Sequence, residues 1–308
     1  MNRGGIFARG LLMGAADIVP GVSGGTMAFI TGIYDTLLDS LRSVDLHFLR
    51  KVAGGQFVDA WQHINGGFLL ALLAGIATSI FSLARLISWI LLHYPVPLWA
   101  FFFGLILASA LTLLREIERW TVATVVALVA GTLVALFIAL SPARSFDAGL
   151  AGVFLSGFLA ICAMILPGIS GSFILVLLGM YGAVLTAIES LDLGFLVVFA
   201  IGAAAGLMCF SRLLHWLLQR YHQPTMALLT GFLFGSLTIV WPWKEVLEWV
   251  AGRDGEPKPV QQVPVLPGDY QALTGSDPMI LVCLALMATG FLIVWVIDAR
   301  WGADRRRG

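Results

Sequence analysis

Charge is scarce in this chain. Only 12% of its 308 residues are Asp, Glu, Lys or Arg, about half the ~25% of a soluble domain. The 18 basic and 18 acidic residues cancel, so no bulk attraction to nucleic acid is available. Cysteine is equally sparse. Cys162, Cys209 and Cys283 each lie inside an apolar run, a pattern that excludes a disulfide framework, a redox pair or a zinc cluster and leaves three small core residues. His47, His63, His93, His215 and His222 have no metal-ligand spacing. No metal and no cofactor is expected. Arg3 and Arg9 precede an apolar stretch, but Asp17, Pro20 and several glycines interrupt it, which argues against a cleavable signal peptide. What remains is apolar: 59% of residues are hydrophobic and the mean hydropathy is +0.93. The composition is that of an all-α integral membrane protein, with room for about six to nine spans of about 20 residues.

One motif occurs twice. Pro20-Gly21-Val22-Ser23-Gly24-Gly25-Thr26 and Pro167-Gly168-Ile169-Ser170-Gly171-Ser172 stand at a constant offset that also pairs Gly32 with Gly179 and Tyr34 with Tyr181. A helix-breaking Pro-Gly within apolar sequence, present in two copies, is the pattern of a repeat-built transporter with its site at the breaks. A second constant offset pairs Gly75 with Gly202, Arg85 with Arg212, Trp89 with Trp216, Tyr94 with Tyr221, Pro97 with Pro224, Gly104 with Gly231 and Ser109 with Ser236.

These matches predict two units. Unit one, 1–141, holds a hairpin over 9–40 and spans over 66–92, 97–114 and 121–140; unit two, 142–308, holds a hairpin over 148–188 and spans over 194–219, 225–241 and 279–297. Each hairpin is read as re-entrant, because half-length apolar arms flank its break. The basic residues agree. Arg3, Arg9, Arg42, Arg50, Lys51, Arg115, Arg119, Arg220, Arg300, Arg305, Arg306 and Arg307 then share the cytoplasmic side with both termini, while the proline-rich 242–278 loop lies outside. Arg144 is stranded in a short outer loop. Three spans after each hairpin make the second unit inverted relative to the first. The Trp residues near span ends (Trp89, Trp99, Trp120, Trp216, Trp241, Trp243 and Trp301) read as interfacial anchors.

Arg85 and Arg212 fall within spans at symmetric positions. A charge at a helix centre costs about 2.5–3.5 kcal/mol on insertion scales, so snorkelling, pairing or an anion must compensate it. After each break a new helix starts with unpaired backbone N–H groups and a partly positive end. The glycines allow close approach by an anion. Ser23 and Thr26 in one copy, and Ser170 and Ser172 in the other, add hydroxyl donors. The expected phosphate site is therefore Ser23, Gly24, Gly25, Thr26, Ser170, Gly171, Ser172, Arg85 and Arg212. Asp17 has no acidic counterpart, since Met164 occupies the matching position. It is either a partner for Arg85 or a carrier of a coupling proton or sodium ion.

Gly-x-Ser-Gly also occurs in rhomboid proteases, but only His215 lies well inside a span and two nucleophiles for one histidine make little sense. An undecaprenyl-pyrophosphate phosphatase would carry an arginine directly after the motif serine, where this chain has Gly24 and Gly171. A transporter of a small soluble anion would use the same donors as a lipid-phosphate carrier. Over nearly its whole length, and most specifically at 14–26 and 167–172, the chain resembles the PopT-type bacterial polyprenyl-phosphate transporters. That resemblance implies translocation of undecaprenyl phosphate across the cytoplasmic membrane without covalent chemistry. The lipid carrier of cell-envelope synthesis would return to the inner leaflet by alternating access.

Overall fold

A computed structural model describes residues 3–18, 23–141, 149–251 and 257–305. Pro20, Gly21 and Val22 of the first motif lie outside the described residues, as do Arg144, Arg253, Arg306 and Arg307. In chain order the elements are α1 (Arg3–Asp17), α2 (Gly24–Ile30), α3 (Tyr34–Arg42), α4 (Leu46–Ala53), α5 (Phe57–His63), α6 (Gly66–His93), α7 (Pro95–Leu114) and α8 (Val122–Leu140). Then follow α9 (Gly149–Ile165), α10 (Gly171–Leu177), α11 (Tyr181–Glu189), α12 (Leu193–Arg220), α13 (His222–Ser236), β1 (Lys244–Ala251), β2 (Pro257–Pro264), α14 (Pro267–Thr274) and α15 (Ile280–Arg305).

Among the described residues, five helices are long and apolar enough to cross a bilayer: those holding Gly66–Leu83, Pro95–Leu114, Val122–Leu140, Leu193–Arg220 and Ile280–Ala299. The chain is a multi-pass membrane protein. The span expected over 225–241 differs. It is α13, with 15 residues, about 22 Å long at 1.5 Å per residue against a ~30 Å hydrocarbon core. Most of its residues are buried, so neighbouring helices shield what a longer helix would otherwise cover.

The elements recur with matched backbone geometry. Ser23 and Ser170, at φ −114° and −100°, open α2 and α10. Gly32 and Gly179 carry φ of +71° and +65° at the turns that follow, a left-handed conformation that favours glycine. The turn at Gly179 bends α10 against α11 by 111°. Tyr94 and Tyr221, at φ −137° and −131°, end α6 and α12, which have 28 residues each.

Small residues let the long helices meet backbone to backbone, the usual device where lipid removes the hydrophobic drive. Side chains at Gly75 and Gly202 would overlap the carbonyl oxygens of Phe7 and Phe154, so α6 lies on α1 as α12 lies on α9. Side chains at Gly104 and Gly290 would strike Met287 and Phe101, joining α7 to α15; those at Gly231 and Gly131 would strike Leu128 and Leu228, joining α13 to α8. The third long helix of each half therefore packs on the second helix of the other.

The 242–278 segment is not a plain loop. β1 and β2 form an antiparallel hairpin, followed by α14. Trp243 is 3% exposed and donates its Nε1–H to the Pro278 carbonyl at 2.8 Å; Trp241 donates to Val265 at 2.8 Å. These two indoles tie the excursion to the bundle, and Trp243 is a core residue rather than an interfacial anchor. Trp89, Trp120 and Trp216 are exposed, in keeping with an anchor role. Lys244, at the start of β1, donates to the Ile239 carbonyl at 2.5 Å and sits 3.8 Å from the centre of the Trp99 ring.

Candidate functional site

The two breaks meet. Helix α9 stops at Ile165, which leaves its last carbonyls without intrahelical donors. Unit one supplies them. The Ser23 hydroxyl is shared between the Met164 and Leu166 carbonyls at 3.2 Å each, and Tyr34 donates its O–H to Ile165 at 3.0 Å. In return the Gly168 amide donates to Thr26 Oγ1 at 3.1 Å. Gly25 lies so close to this strand that a side chain there would stand 2.9 Å from the Ile165 carbonyl oxygen. Ser23, Gly24, Gly25 and Thr26 are all buried.

The start of α2 is already satisfied from within. Ser23 Oγ accepts from the Gly25 amide at 3.1 Å and Asp17 Oδ1 accepts from the Gly24 amide at 2.7 Å. Asp17, at the end of α1, thus places a carboxylate where the sequence reading expected phosphate. Gly24 is required there, because a side chain would lie 2.5 Å from Asp17 Oδ2.

The start of α10 is different. Ser170 makes no capping bond; its hydroxyl pairs with that of Ser172 at 2.8 Å. Ser172 is exposed, Gly171 partly so, and the position matching Asp17 is Met164, 43% exposed. Of the two copies, the second leaves Ser172 exposed over a buried Ser170, 8% exposed, and the first is turned wholly inward.

The arginines stand apart from both. Arg85 and Arg212 are exposed on α6 and α12, and neither bonds a motif residue among the described residues. Arg212 donates to the Met208 carbonyl at 3.4 Å and lines a cleft of about 480 Å³ with Asp45, His47, Leu49 and Met208. The Phe48 amide, and then the His63 ring, hold the Asp45 carboxyl below its usual range. One turn along from Arg212, His215 Nδ1 lies 3.0 Å from Asp39 Oδ1 of α3. Arg9 is the cation the sequence reading undervalued. Placed among the surface-flanking charges, it is instead 5% exposed on α1, two turns before Asp17. Its matching residue, Ser156, is a buried serine bonded to the Gly152 carbonyl, so no repeat signal marked it.

No solved structure matched the chain. It is 46% identical over 294 residues to the polyprenyl-phosphate transporter of Vibrio cholerae serotype O1, covering 96% of each chain. To the polyprenyl-phosphate transporter of Staphylococcus aureus it is 32% identical over 252 residues, covering 76% of this chain and 84% of the relative. Both relatives are named as transporters, not enzymes. The model of the undecaprenyl phosphate translocase-like family matches residues 13–258, and the chain belongs to that family.

Proposed function

We propose that this protein is a polyprenyl-phosphate transporter that carries the headgroup of undecaprenyl phosphate through the bacterial cytoplasmic membrane while the prenyl tail stays in lipid. The observation that carries this is the convergence of the two breaks, where Ser23 and Thr26 of one copy bond the backbone at Met164, Leu166 and Gly168 of the other. A repeated motif whose Ser23–Thr26 stretch meets the second break within a lipid-embedded bundle is the arrangement expected of a midplane substrate site. The names of the two relatives favour the same substrate.

In this reading the units 1–141 and 142–308 are inverted repeats with re-entrant hairpins, both termini are cytoplasmic, and the lipid returns to the inner leaflet for peptidoglycan and other envelope polymers. The phosphate is held by Ser170, Gly171 and Ser172 in the present conformation. Ser23, Gly24, Gly25 and Thr26 take the equivalent role in the opposite one. Arg85 and Arg212 draw the anion toward the breaks from the two sides. Asp17 holds the α2 amides between visits of the phosphate and is the residue through which a proton or sodium ion couples to transport.

The test is leaflet exchange of undecaprenyl phosphate in proteoliposomes, read with a headgroup-specific probe alongside release of free phosphate from the pyrophosphate form. Exchange without phosphate release, lost in Ser170→Ala/Ser172→Ala and in Arg85→Ala or Arg212→Ala, is the expected result. Phosphate release would make the protein an enzyme. Asp17→Asn keeps an oxygen for the Gly24 amide, so exchange that becomes insensitive to an ion gradient would assign coupling to its charge.

A further inference from the structure

The two hairpins have matching sequences but are not equally placed. All seven residues of α2 are buried, whereas in α10 only Leu175 is. Tyr34 is 4% exposed and its match Tyr181 is 40% exposed. Helix α3 crosses to the other unit and packs on α12; its match α11 leans on the α12 of its own unit and, among the described residues, makes no comparable contact with α6. The α3–α12 contact is fastened by Asp39 Oδ1 to His215 Nδ1 at 3.0 Å, with Arg42 Nη2 at 3.8 Å from the same oxygen.

We infer that these are the two positions of one moving hairpin, docked in unit one and released in unit two, and that α6 carries an unused docking face for α11. Exchanging the two positions converts the structure into its opposite-facing state. The contact then formed would set Thr186, the match of Asp39, against Ser88, the match of His215. In the present state the gap between α6 and α11 is the lateral opening toward the second break, and α3 on α12 is the same opening shut. The inference rests on the repeat reading of the proposed function and extends it.

The latch is built to release. His215 Nε2 is buried with no hydrogen-bond partner among the described residues, and an unmatched buried polar atom weighs against the state that encloses it. The residues that match Asp39 and His215 on the other side are two hydroxyl side chains, Thr186 and Ser88, and the match of Arg42 is Glu189, so the second latch differs in chemistry from the first. An unequal pair of latches leaves the docked unit-one state favoured at rest, and ligand is needed to shift the balance.

Cysteine pairs decide the matter in full-length protein with Cys162→Ala, Cys209→Ala and Cys283→Ser, reconstituted with undecaprenyl phosphate and treated with a short bis-methanethiosulfonate, which joins two thiols through disulfides that reductant cleaves. Asp39→Cys/His215→Cys and Ser88→Cys/Thr186→Cys are both expected to cross-link, each with loss of lipid exchange that reductant restores. Cross-linking of the Ser88/Thr186 pair no greater than that of a Leu133→Cys/Thr186→Cys control, in protein that still exchanges lipid, would overturn the inference. Cross-linking at both pairs without any lipid exchange would keep the motion and instead remove the proposed substrate. A second variant guards against misfolding of the doubly substituted chain. Asp39→Asn loosens the resident latch, so maleimide labelling of Thr186→Cys is expected to slow as α11 spends longer docked; unchanged labelling would count against the exchange.

Discussion

Gly168 and Thr26 are joined by a single hydrogen bond, amide to hydroxyl at 3.1 Å, and through it each half of the chain holds the break of the other. Both groups are buried. Thr26→Val keeps the shape but leaves the Gly168 amide without its acceptor, a loss of about 1–3 kcal/mol. Thr26→Ser keeps the oxygen and is expected to cost less. Thermal unfolding of the purified protein in detergent, followed by intrinsic Trp fluorescence, ranks the two.

The serines of the two copies are expected to behave differently. Ser23→Ala removes a helix cap and the donor shared by Met164 and Leu166, so stability falls by about 1–2 kcal/mol. The Ser170 hydroxyl caps nothing and, among the described residues, pairs with that of Ser172. Ser170→Ala should leave the melting temperature near that of wild type while weakening lipid-phosphate binding. Measuring both quantities on both variants shows whether Ser23 serves stability and Ser170 serves binding.

Backbone contact between long helices predicts a sharp contrast among glycines. An added methyl at Gly104 or Gly231 strikes the carbonyl of Met287 or Leu128, whereas at Gly182 it meets nothing within 4 Å. Gly104→Ala and Gly231→Ala push helices apart at about 1–3 kcal/mol each. Gly182→Ala should be neutral or slightly stabilising, since alanine favours the helix by about 1 kcal/mol. Detergent melting curves or yields of folded protein read the difference.

Lys244 gives a pH prediction outside the spans. Burial pushes its amine down to about 7 from an ordinary 10.5, although the Trp99 ring and the Ile239 carbonyl favour the ammonium. Below pH 7 both folded and unfolded chains carry the charge, and the folded one bears the cost of enclosing it. Between pH 7 and 10.5 the unfolded chain binds more protons, so stability rises with pH across that window. Wild-type melting temperature should climb from pH 7 to pH 10 more steeply than that of Lys244→Met.

Much of this molecule was legible because rare residues recur. Gly75 and Gly202, or Tyr94 and Tyr221, stand out in an apolar sequence, and in the structure they hold matching positions. The match of Gly131 with Gly290 escaped notice because the 242–278 excursion shifts the offset once more. That excursion hid its own strands too: alternation is weak in a segment punctuated by proline, and the carbonyls bonded by Trp241 and Trp243 are distant in sequence. Periodicity cannot show how far a helix with polar ends is enclosed, so the short buried α13 read as a span. At the site, residue types pointed to the right place but not to the division of labour. Nothing in the motif says that Asp17 folds back onto the Gly24 amide, since that depends on the path through the break. Nor does pairing by type tell an exposed arginine from an enclosed one. Arg85 and Arg212 were prominent because they repeat, and Arg9 was overlooked because it does not.

The crossed seams, α8 on α13 and α15 on α7, also order events at the ribosome. When α7 enters the membrane, the groove at Gly104 has no occupant until α15 has been made. Neither half is a finished object on its own. The nascent protein must hold an open furrow in lipid through most of its synthesis, and it closes only when α15 slides in beside Phe101.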